Sequence, residues 1–290
     1  MPITPFEIPE NMREAADKSV EQAKKAFDEF IDATQKAVAK AEDSARTLRE
    51  GAADVNRQAL ALAEAGLRVN VNDLNQQTLE TLQAGRLPFI EEGAADVLTK
   101  ALADGRLVFT SSPDKISTGG PVIVTIGTPV DEYLDPSLRA FDQVMEDVFQ
   151  HCRPDQLLII RSTVFPGVTQ RLGRLVAERD LQIDVSYCPE RIAQGRALLE
   201  LTQLPQLVSG CSPQAAQRAA SFFSDFGQEV IELSPVEAEL GKLFTNSYRY
   251  INFAISNQFY MLAQRYEADF DRIYHAITYK YPRMNGFARA

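Results

Sequence analysis

Short apolar runs alternate with longer stretches of helical spacing from about residue 59 to residue 233. β-Branched and aliphatic residues concentrate in the runs that predict strands, at 67–72, 121–126, 157–160, 183–187 and 228–232. The stretches between them predict helices at 75–84, 94–103, 137–149 and 169–178. Strands that alternate with helices form parallel βαβ units, and right-handed crossovers build these into an open, doubly wound sheet. The pattern therefore predicts an α/β domain that binds ligands at the carboxyl ends of its strands.

The pattern changes after Ser234 and Pro235. Residues 236–266 contain no proline and only one glycine, Gly241, and their apolar side chains occupy most faces of a helix. This composition predicts one long helix over 235–266 that is buried on more than one side. Such a helix is typical of the junction between domains or subunits, so residues 234–290 are expected to form a central helical domain.

Residues 1–58 differ from the rest of the chain. Between residues 11 and 56 there is no proline and Gly51 is the only glycine. The larger apolar residues fall at helical spacings within an alanine-rich stripe, at Val20, Phe27, Phe30, Ile31 and Val38. One interpretation is an amphipathic helical segment that binds a helical partner or an apolar surface. The alternative is a solvated helical extension of marginal stability.

Composition and charge exclude several classes of protein. The 290 residues carry a net charge of −10, which disfavours a protein that coats nucleic acid. No run of 18 apolar residues predicts a membrane span, and the N-terminus does not resemble a secretory signal. The 3 cysteines form no CxxC motif, which favours a cytoplasmic location, and 2 separated histidines disfavour a histidine-rich metal centre.

The first candidate for chemistry is Asp73, directly after the strand predicted at 67–72. An acid at this position can accept hydrogen bonds from an adenosine ribose, although a turn or a helix cap is the alternative. The glycine-rich loop expected about 20 residues earlier is absent, since the chain has no G-x-G. The stretch 59–65 resembles the end of a crossover helix capped by Gly66, so the α/β domain is expected to begin within its first βα unit.

Polar residues follow three later strands. Gly127 and Thr128, then Ser162 and Thr163, then Glu190 stand where the open-sheet rule places ligands. Glu190 could act as a general base. Turn chemistry at strand ends is the alternative for each.

The start of the long helix supplies two more candidates. Lys242 and Asn246 are four residues apart and share one helical face. Together they could stabilise a developing oxyanion. A solvated helix face is the alternative.

These stretches, taken in order, resemble the UDP-glucose/GDP-mannose dehydrogenase family. The similarity runs from about residue 59 to 290 and includes LAEAGLRVNVNDLN, VIVTIGTPVDE, LLIIRSTVFPGVT, YCPERIAQGRALLEL and AELGKLFTNSYRYINFAISNQF. The form CPERI is closer to the branch that oxidises UDP-N-acetylhexosamines, including UDP-N-acetylmannosamine dehydrogenase. The resemblance implies an incomplete Rossmann-like fold. It also implies NAD-dependent double oxidation of a UDP-sugar to a uronic acid through a cysteine-bound intermediate, in polysaccharide precursor synthesis.

The resemblance also implies roles for the residues that match its motifs. Asp73 would hold the NAD ribose, and Gly127, Thr128 and Ser162 would lie along the cofactor. Thr163 would position water, and Glu190 would be the base in thioester hydrolysis. Lys242 and Asn246 would stabilise oxyanions. Arg191 would contact the sugar or the backbone beside it, and the long helix over 235–266 would form a homodimer.

Residues 3–58 instead resemble the start of a phasin, a helical protein that coats polyhydroxyalkanoate granules. The stretch PFEIPENMREAADKSVEQAKKAFDEFIDATQKAV carries this similarity. The family's glycine loop and nucleophilic cysteine motif are both missing, so we expect this chain alone to be inactive. Three hypotheses follow for the chain: an enzyme fragment, a granule-associated protein, or a recombined reading frame without a selected function.

Overall fold

The computed structural model describes residues 56–89, 91–127, 138–192, 198, 200 and 203–289. The phasin-like segment lies outside these residues, apart from 56–58, and so does Thr128. Residues 56–64 are helical, and we label this helix α1. Asn56, Arg57 and Gln58 are buried at its start, and Leu60 belongs to the adjoining apolar core. The helix is therefore part of the α/β structure that follows it.

The strands form two hydrogen-bonded sheets. The first pairs β1 (Val69–Asn72) with β2 (Leu107–Thr110) in parallel. The second has the order β3-β4-β5-β6-β7 and contains Val122–Val124, Leu157–Ile160, Asp184–Tyr187, Gln206–Gly210 and Val230–Glu232. All its pairs are parallel except β5 with β6, which is antiparallel. The structure is thus a mainly parallel α/β fold, as the sequence predicts.

The helices connect and flank these strands. In chain order, those after α1 are α2 (Gln76–Gln83), α3 (Ala94–Ala103), α4 (Leu138–His151), α5 (Val168–Glu178), α6 (Pro213–Ser224), α7 (Pro235–Arg265) and α8 (Phe270–Thr278). The helices predicted at 75–84, 94–103, 137–149, 169–178 and 235–266 are all present within two residues of their predicted ends.

Two strands and two helices were not predicted from the pattern: β2, β6, α6 and α8. In the run that forms β2, only Leu107 is buried and Val108 is exposed. Strand β6 begins with the polar Gln206 and ends in Ser209 and Gly210, yet Gln206 and Ser209 are buried. Tertiary hydrogen bonds satisfy these polar side chains, which single-sequence periodicity does not register.

Strand β4 lies at the centre of the core because both of its faces are covered. Leu158 and Ile160 point into a cluster with residues of α4 and α5, including Phe141. Leu157 and Ile159 point into a second cluster that includes Phe223 of α6. All 4 residues of β4 are buried, which is typical of a parallel strand between two helical layers. The unbroken apolar run in the sequence is thereby explained.

Helix α7 has a defined start and a largely exposed apolar surface. Ser234 and Glu237 form a capping box, and Pro235 occupies the first turn. The predicted burial on several sides is wrong for the single chain, because only Ala238, Glu239, Ser256 and Ala263 are buried within the helix. Phe244, Tyr248, Tyr250, Ile251, Phe253 and Phe259 are among its exposed side chains. No helix in the described part is long and apolar enough to span a bilayer.

Two glycines give a paired prediction for stability. A Cβ at Gly210 would lie 2.3 Å from the backbone nitrogen of Ala216, so Gly210→Ala should lower the free energy of unfolding by about 1–3 kcal/mol. A Cβ at Gly241, within helix α7, would lie 3.6 Å from a methyl of Leu207 in β6, which is an ordinary van der Waals distance. Gly241→Ala should therefore raise that free energy by about 0.5–1 kcal/mol. Urea unfolding followed by circular dichroism measures the free energy of unfolding of both variants. Equal changes in Gly210→Ala and Gly241→Ala would contradict the close packing at β6.

Candidate active site

The polar residues at the carboxyl ends of β4 and β5 form a connected group around Glu190. Four donors reach its carboxylate. Gln58 Nε2 and Arg161 Nη2 donate to Oε2, each at 2.5 Å, and the backbone N–H groups of Arg191 and Ile192 donate to Oε1 at 2.8 and 2.9 Å. Only 14% of the Glu190 side chain is exposed. Helix α1, strand β4 and the segment after β5 therefore meet at this carboxylate.

The donors determine the protonation state of Glu190. Burial alone would raise the pKa of this carboxyl, whereas the charge and the hydrogen bond of Arg161 lower it. The amide of Ile192 and the charge of Lys242 act in the same direction, so the pKa is held below its ordinary value. Glu190 is consequently an anion at neutral pH. Its lone pairs are occupied, so it can accept a proton only by releasing one of its donors.

Arg161 is the cation that holds Glu190. Its side chain is 2% exposed at the end of the fully buried strand β4. Its Nη1 donates to Gln206 Oε1 at 3.0 Å, and its guanidinium carbon lies 5.1 Å from the centre of the Phe223 ring. The Gln206 amide in turn donates to the carbonyl oxygens of Pro189 and Leu207. Arg161 therefore joins the ends of β4 and β5 to the start of β6.

Lys242 reaches the same group from helix α7. Its Nζ donates to the backbone oxygen of Glu190, so the ammonium lies beside the strand end that the sequence predicts for catalysis. Asn246 lies one turn further along α7 and is half-buried, and its side-chain amide makes no hydrogen bond within the described residues. The guanidinium of Arg191 donates to the carbonyl of Pro205. Lys242 and Glu190 are thus brought together, whereas Arg191 contacts backbone.

Asp73 and Ser162 present buried acceptors without partners in the described structure. Asp73 Oδ1 accepts from the Asn75 amide at 2.9 Å, so the local turn predicted as the alternative is also present. Its Oδ2 is buried and accepts no hydrogen bond, and the buried Ser162 Oγ is likewise unsatisfied. Thr163 is half-buried beside Ser162, and Gly127 is exposed after β3. Buried polar atoms in native proteins normally have partners, and a polar ligand that reaches Asp73 and Ser162 would supply them.

None of the cysteines at the described positions is activated. Burial raises the pKa of the Cys188 thiol to about 12, although Arg161 acts in the opposite direction. Burial also raises the pKa of Cys152 and of Cys211 to about 11. A nucleophilic cysteine needs a lowered pKa. All three thiols are therefore weak nucleophiles in this structure.

Sequence reasoning missed three members of the group: Arg161, Gln58 and Gln206. Arg161 follows an apolar strand, where a cation ordinarily marks the emergence of the chain into solvent. The one signal for a buried cation was its partner Glu190, three residues beyond β5. Gln58 was assigned to the helical N-terminal segment 1–58 and not to the α/β domain. It is also 132 residues away from Glu190 in sequence, so no local motif indicated their contact.

Comparison with known proteins identifies the family. Residues 56–227 match the profile of the NAD binding domain of the UDP-glucose/GDP-mannose dehydrogenase family. The chain belongs to this family. It is 28% identical over 225 residues to the UDP-N-acetyl-D-mannosamine dehydrogenase of Pyrococcus horikoshii, covering 76% of this chain and 53% of that protein. The corresponding protein of Methanococcus aeolicus is 26% identical over 233 residues, covering 77% and 51%.

Solved structures show the same relationship. A structure of the UDP-D-ManNAc dehydrogenase from P. horikoshii aligns with a TM-score of 0.69 at 25% identity, over 80% of this chain and 56% of that one. A UDP-glucose dehydrogenase from Pyrobaculum islandicum gives a TM-score of 0.69 at 26% identity, over 78% and 54%. The chain thus spans about half the length of the relatives that it matches.

The Arg161–Glu190 pair predicts a pH-dependent loss of stability. Arg161→Leu leaves a buried carboxylate unpaired, so the free energy of unfolding at pH 7 should fall by about 3–5 kcal/mol. Burial then raises the pKa of Glu190 in the folded state, and the deficit should narrow as the pH falls toward the unfolded-state pKa of about 4.3. Urea unfolding between pH 7 and pH 4.5 measures this change.

Two variants control that measurement. Adding Glu190→Gln to Arg161→Leu removes the unpaired charge and should recover part of the loss at pH 7. Arg179→Leu breaks the exposed pair with Glu146 and should cost far less. A deficit in Arg161→Leu that is independent of pH would contradict the proposed electrostatic origin.

Proposed function

We propose that this chain is the cofactor-binding and central part of an NAD-dependent nucleotide-sugar dehydrogenase. The substrate class is a UDP-hexose or UDP-N-acetylhexosamine, whose primary alcohol is oxidised to a uronic acid. The observation that carries this proposal is the meeting of Lys242 with the Glu190 loop at the carboxyl edge of the sheet. The membership of the chain in the family supports the reaction class, and the identity to UDP-N-acetyl-D-mannosamine dehydrogenases supports the amino-sugar substrate.

The residues present fit an NAD molecule on its adenosine side. Asp73 follows β1 and offers a buried carboxylate oxygen that lacks a donor, which a ribose hydroxyl would supply. Ser162 Oγ offers a second unsatisfied group after β4. NAD, when bound, supplies the acceptor for the hydride that leaves the sugar alcohol. Asp73, Ser162, Gly127 and Thr128 would bind and orient it.

Lys242 and Glu190 would have complementary roles. The Lys242 ammonium stabilises negative charge that develops on an oxygen at this edge, and Asn246 on the same face of α7 supports it when a substrate is present. Glu190 holds the backbone that Lys242 contacts and stays ionised beside Arg161. For Glu190 to act as a base toward water held by Thr163, one of its donors must move away. Of the four donors, Gln58 is the only uncharged side chain, so it can move away without displacing the backbone or separating an ion pair.

A homodimer through α7 is part of the proposal. The exposed aromatic and aliphatic side chains of this helix form a continuous series, in which Tyr250 is 76% exposed and Phe244 is 66% exposed. Exposed apolar surface of this extent is typical of an interface. The granule-associated alternative depends on residues 3–58, of which 3–55 lie outside the described residues, so it stays a prediction from the sequence. A cytoplasmic location also stays a prediction.

The cofactor proposal gives a binding test. Asp73→Ala removes a charged acceptor for the ribose and should weaken NAD binding by about tenfold or more, because such hydrogen bonds contribute about 1.5–3 kcal/mol. Isothermal titration calorimetry on the full chain measures the dissociation constant. Glu80→Ala changes an exposed carboxylate on the adjoining helix α2 and should leave NAD binding unaltered. Equal affinity of the wild-type and Asp73→Ala proteins would reject Asp73 as the ribose ligand.

A second prediction concerns turnover. We expect no sustained NADH production from UDP-glucose, UDP-N-acetylglucosamine or UDP-N-acetylmannosamine by this chain alone. The sequence has no G-x-G loop for the pyrophosphate, and its described thiols have raised pKa values. Absorbance at 340 nm on purified protein measures the rate. Turnover that disappears in Lys242→Ala would overturn the prediction and point to another nucleophile, with Cys188→Ala as the next variant to test.

A further inference from the structure

Glu239 is a fully buried carboxylate on the second turn of α7, with 0% of its surface exposed. Its Oε1 accepts from the backbone N–H of Thr169 at 2.8 Å and from the Thr169 hydroxyl at 2.6 Å. Its Oε2 accepts from the backbone N–H of Gly167 at 2.6 Å. A charge at this depth is costly unless hydrogen bonds satisfy it, and here three donors do so.

These donors belong to the start of α5, which lacks a cap of its own. Gly167 occupies the N-cap position with φ of +96°, and no side chain of the α5 segment accepts from the first turn. Glu239 therefore caps α5 from another helix and places a negative charge at its positive end. The loop that enters α5 from β4 contains Ser162 and Thr163. Its far end is thus bound to α7.

Lys242 lies three residues after Glu239, on the same side of α7. Its Nζ donates to the Glu190 carbonyl at the end of β5. The first turns of α7 thereby contact two neighbouring loops, the β4–α5 loop through Glu239 and the segment after β5 through Lys242. These two contacts determine where Thr163 lies relative to Lys242.

We propose that Glu239 is a positioning residue for the candidate active site. It binds the β4–α5 loop to α7 and so fixes Lys242 on the Glu190 backbone and Thr163 beside them. The significance of this placement for catalysis rests on the proposed function. The placement itself does not, since it concerns only hydrogen bonds within the chain.

Hydrogen exchange on the full chain tests the proposal. Glu239→Gln keeps the shape of the side chain but turns an N–H₂ group toward N–H donors. The Gly167 and Thr169 amides should then exchange roughly tenfold faster, as expected for a lost helix cap. Glu237→Gln is the matched control, because Glu237 is two residues away and caps α7 itself through Ser234. It should leave exchange at Gly167 and Thr169 unchanged.

The second readout separates positioning from capping. If Glu239 positions Lys242, the Arg191 and Ile192 amides, which Glu190 binds, should also exchange faster in Glu239→Gln. Lys242→Met should accelerate the same two amides without affecting Gly167. Faster exchange at Gly167 and Thr169 alone would overturn the proposal and leave Glu239 as a helix cap only.

A milder variant keeps the test decisive if Glu239→Gln does not fold. Thr169→Val removes one hydroxyl donor at constant shape, and it should accelerate the Arg191 and Ile192 amides in the same direction by a smaller factor. Unchanged exchange of the Arg191 and Ile192 amides in Thr169→Val would also overturn the proposal. Failure of the protein to bind NAD would reject the proposed function yet leave these exchange measurements valid, so the two ideas can fail separately.

Discussion

The buried guanidinium of Arg161 is the constraint on which the candidate site depends. A cation that is 2% exposed needs acceptors, and they come from two other segments: Glu190 after β5 and Gln206 at the start of β6. Because β6 runs antiparallel to β5, its first residue lies at the same edge of the sheet as the last residues of β4 and β5. Strand β6 therefore places its first residue, Gln206, at the carboxyl edge of the parallel strands. If β6 were parallel to β5, its last residue would lie there instead. The Arg161 guanidinium therefore links the ends of β4 and β5 to the start of β6.

The elements with a strong period were predictable from sequence, and the others depend on tertiary contacts. Strand β4 is an unbroken apolar run because helices cover both faces, and its bounds were predicted to the residue. Strand β6 escaped prediction because its polar residues are buried by partners far away in sequence: Ser209 donates to the Tyr187 carbonyl, and Gln206 binds Arg161. The length of helix α7 was predicted correctly, but the predicted burial was not. The pattern identifies which side chains are apolar, and it does not show whether the same chain covers them.

Much of the candidate site was also predictable, because open sheets place ligands at strand ends. Glu190 and Lys242 were singled out in that way, and the structure brings them into contact. Arg161 and Glu239 were not, although both lie in stretches that carry the family resemblance, because their partners are far away in sequence. The lowered pKa of Glu190 also follows from Arg161, so an interpretation of Glu190 as a free base omitted the partner that governs its charge.

The division of the strands into two hydrogen-bonded sheets has a thermodynamic consequence. Among the described residues, β1 and β2 share no ladder with the five strands that carry Ser162 and Glu190, and Asp73 follows β1. A two-stranded unit has little stability of its own and opens more readily than a larger sheet. A cofactor that contacts both Asp73 and Ser162 binds only the closed arrangement, so the free energy of opening rises with the logarithm of the cofactor concentration above its dissociation constant. The protease sensitivity of residues 67–110 would then report the degree of saturation with cofactor.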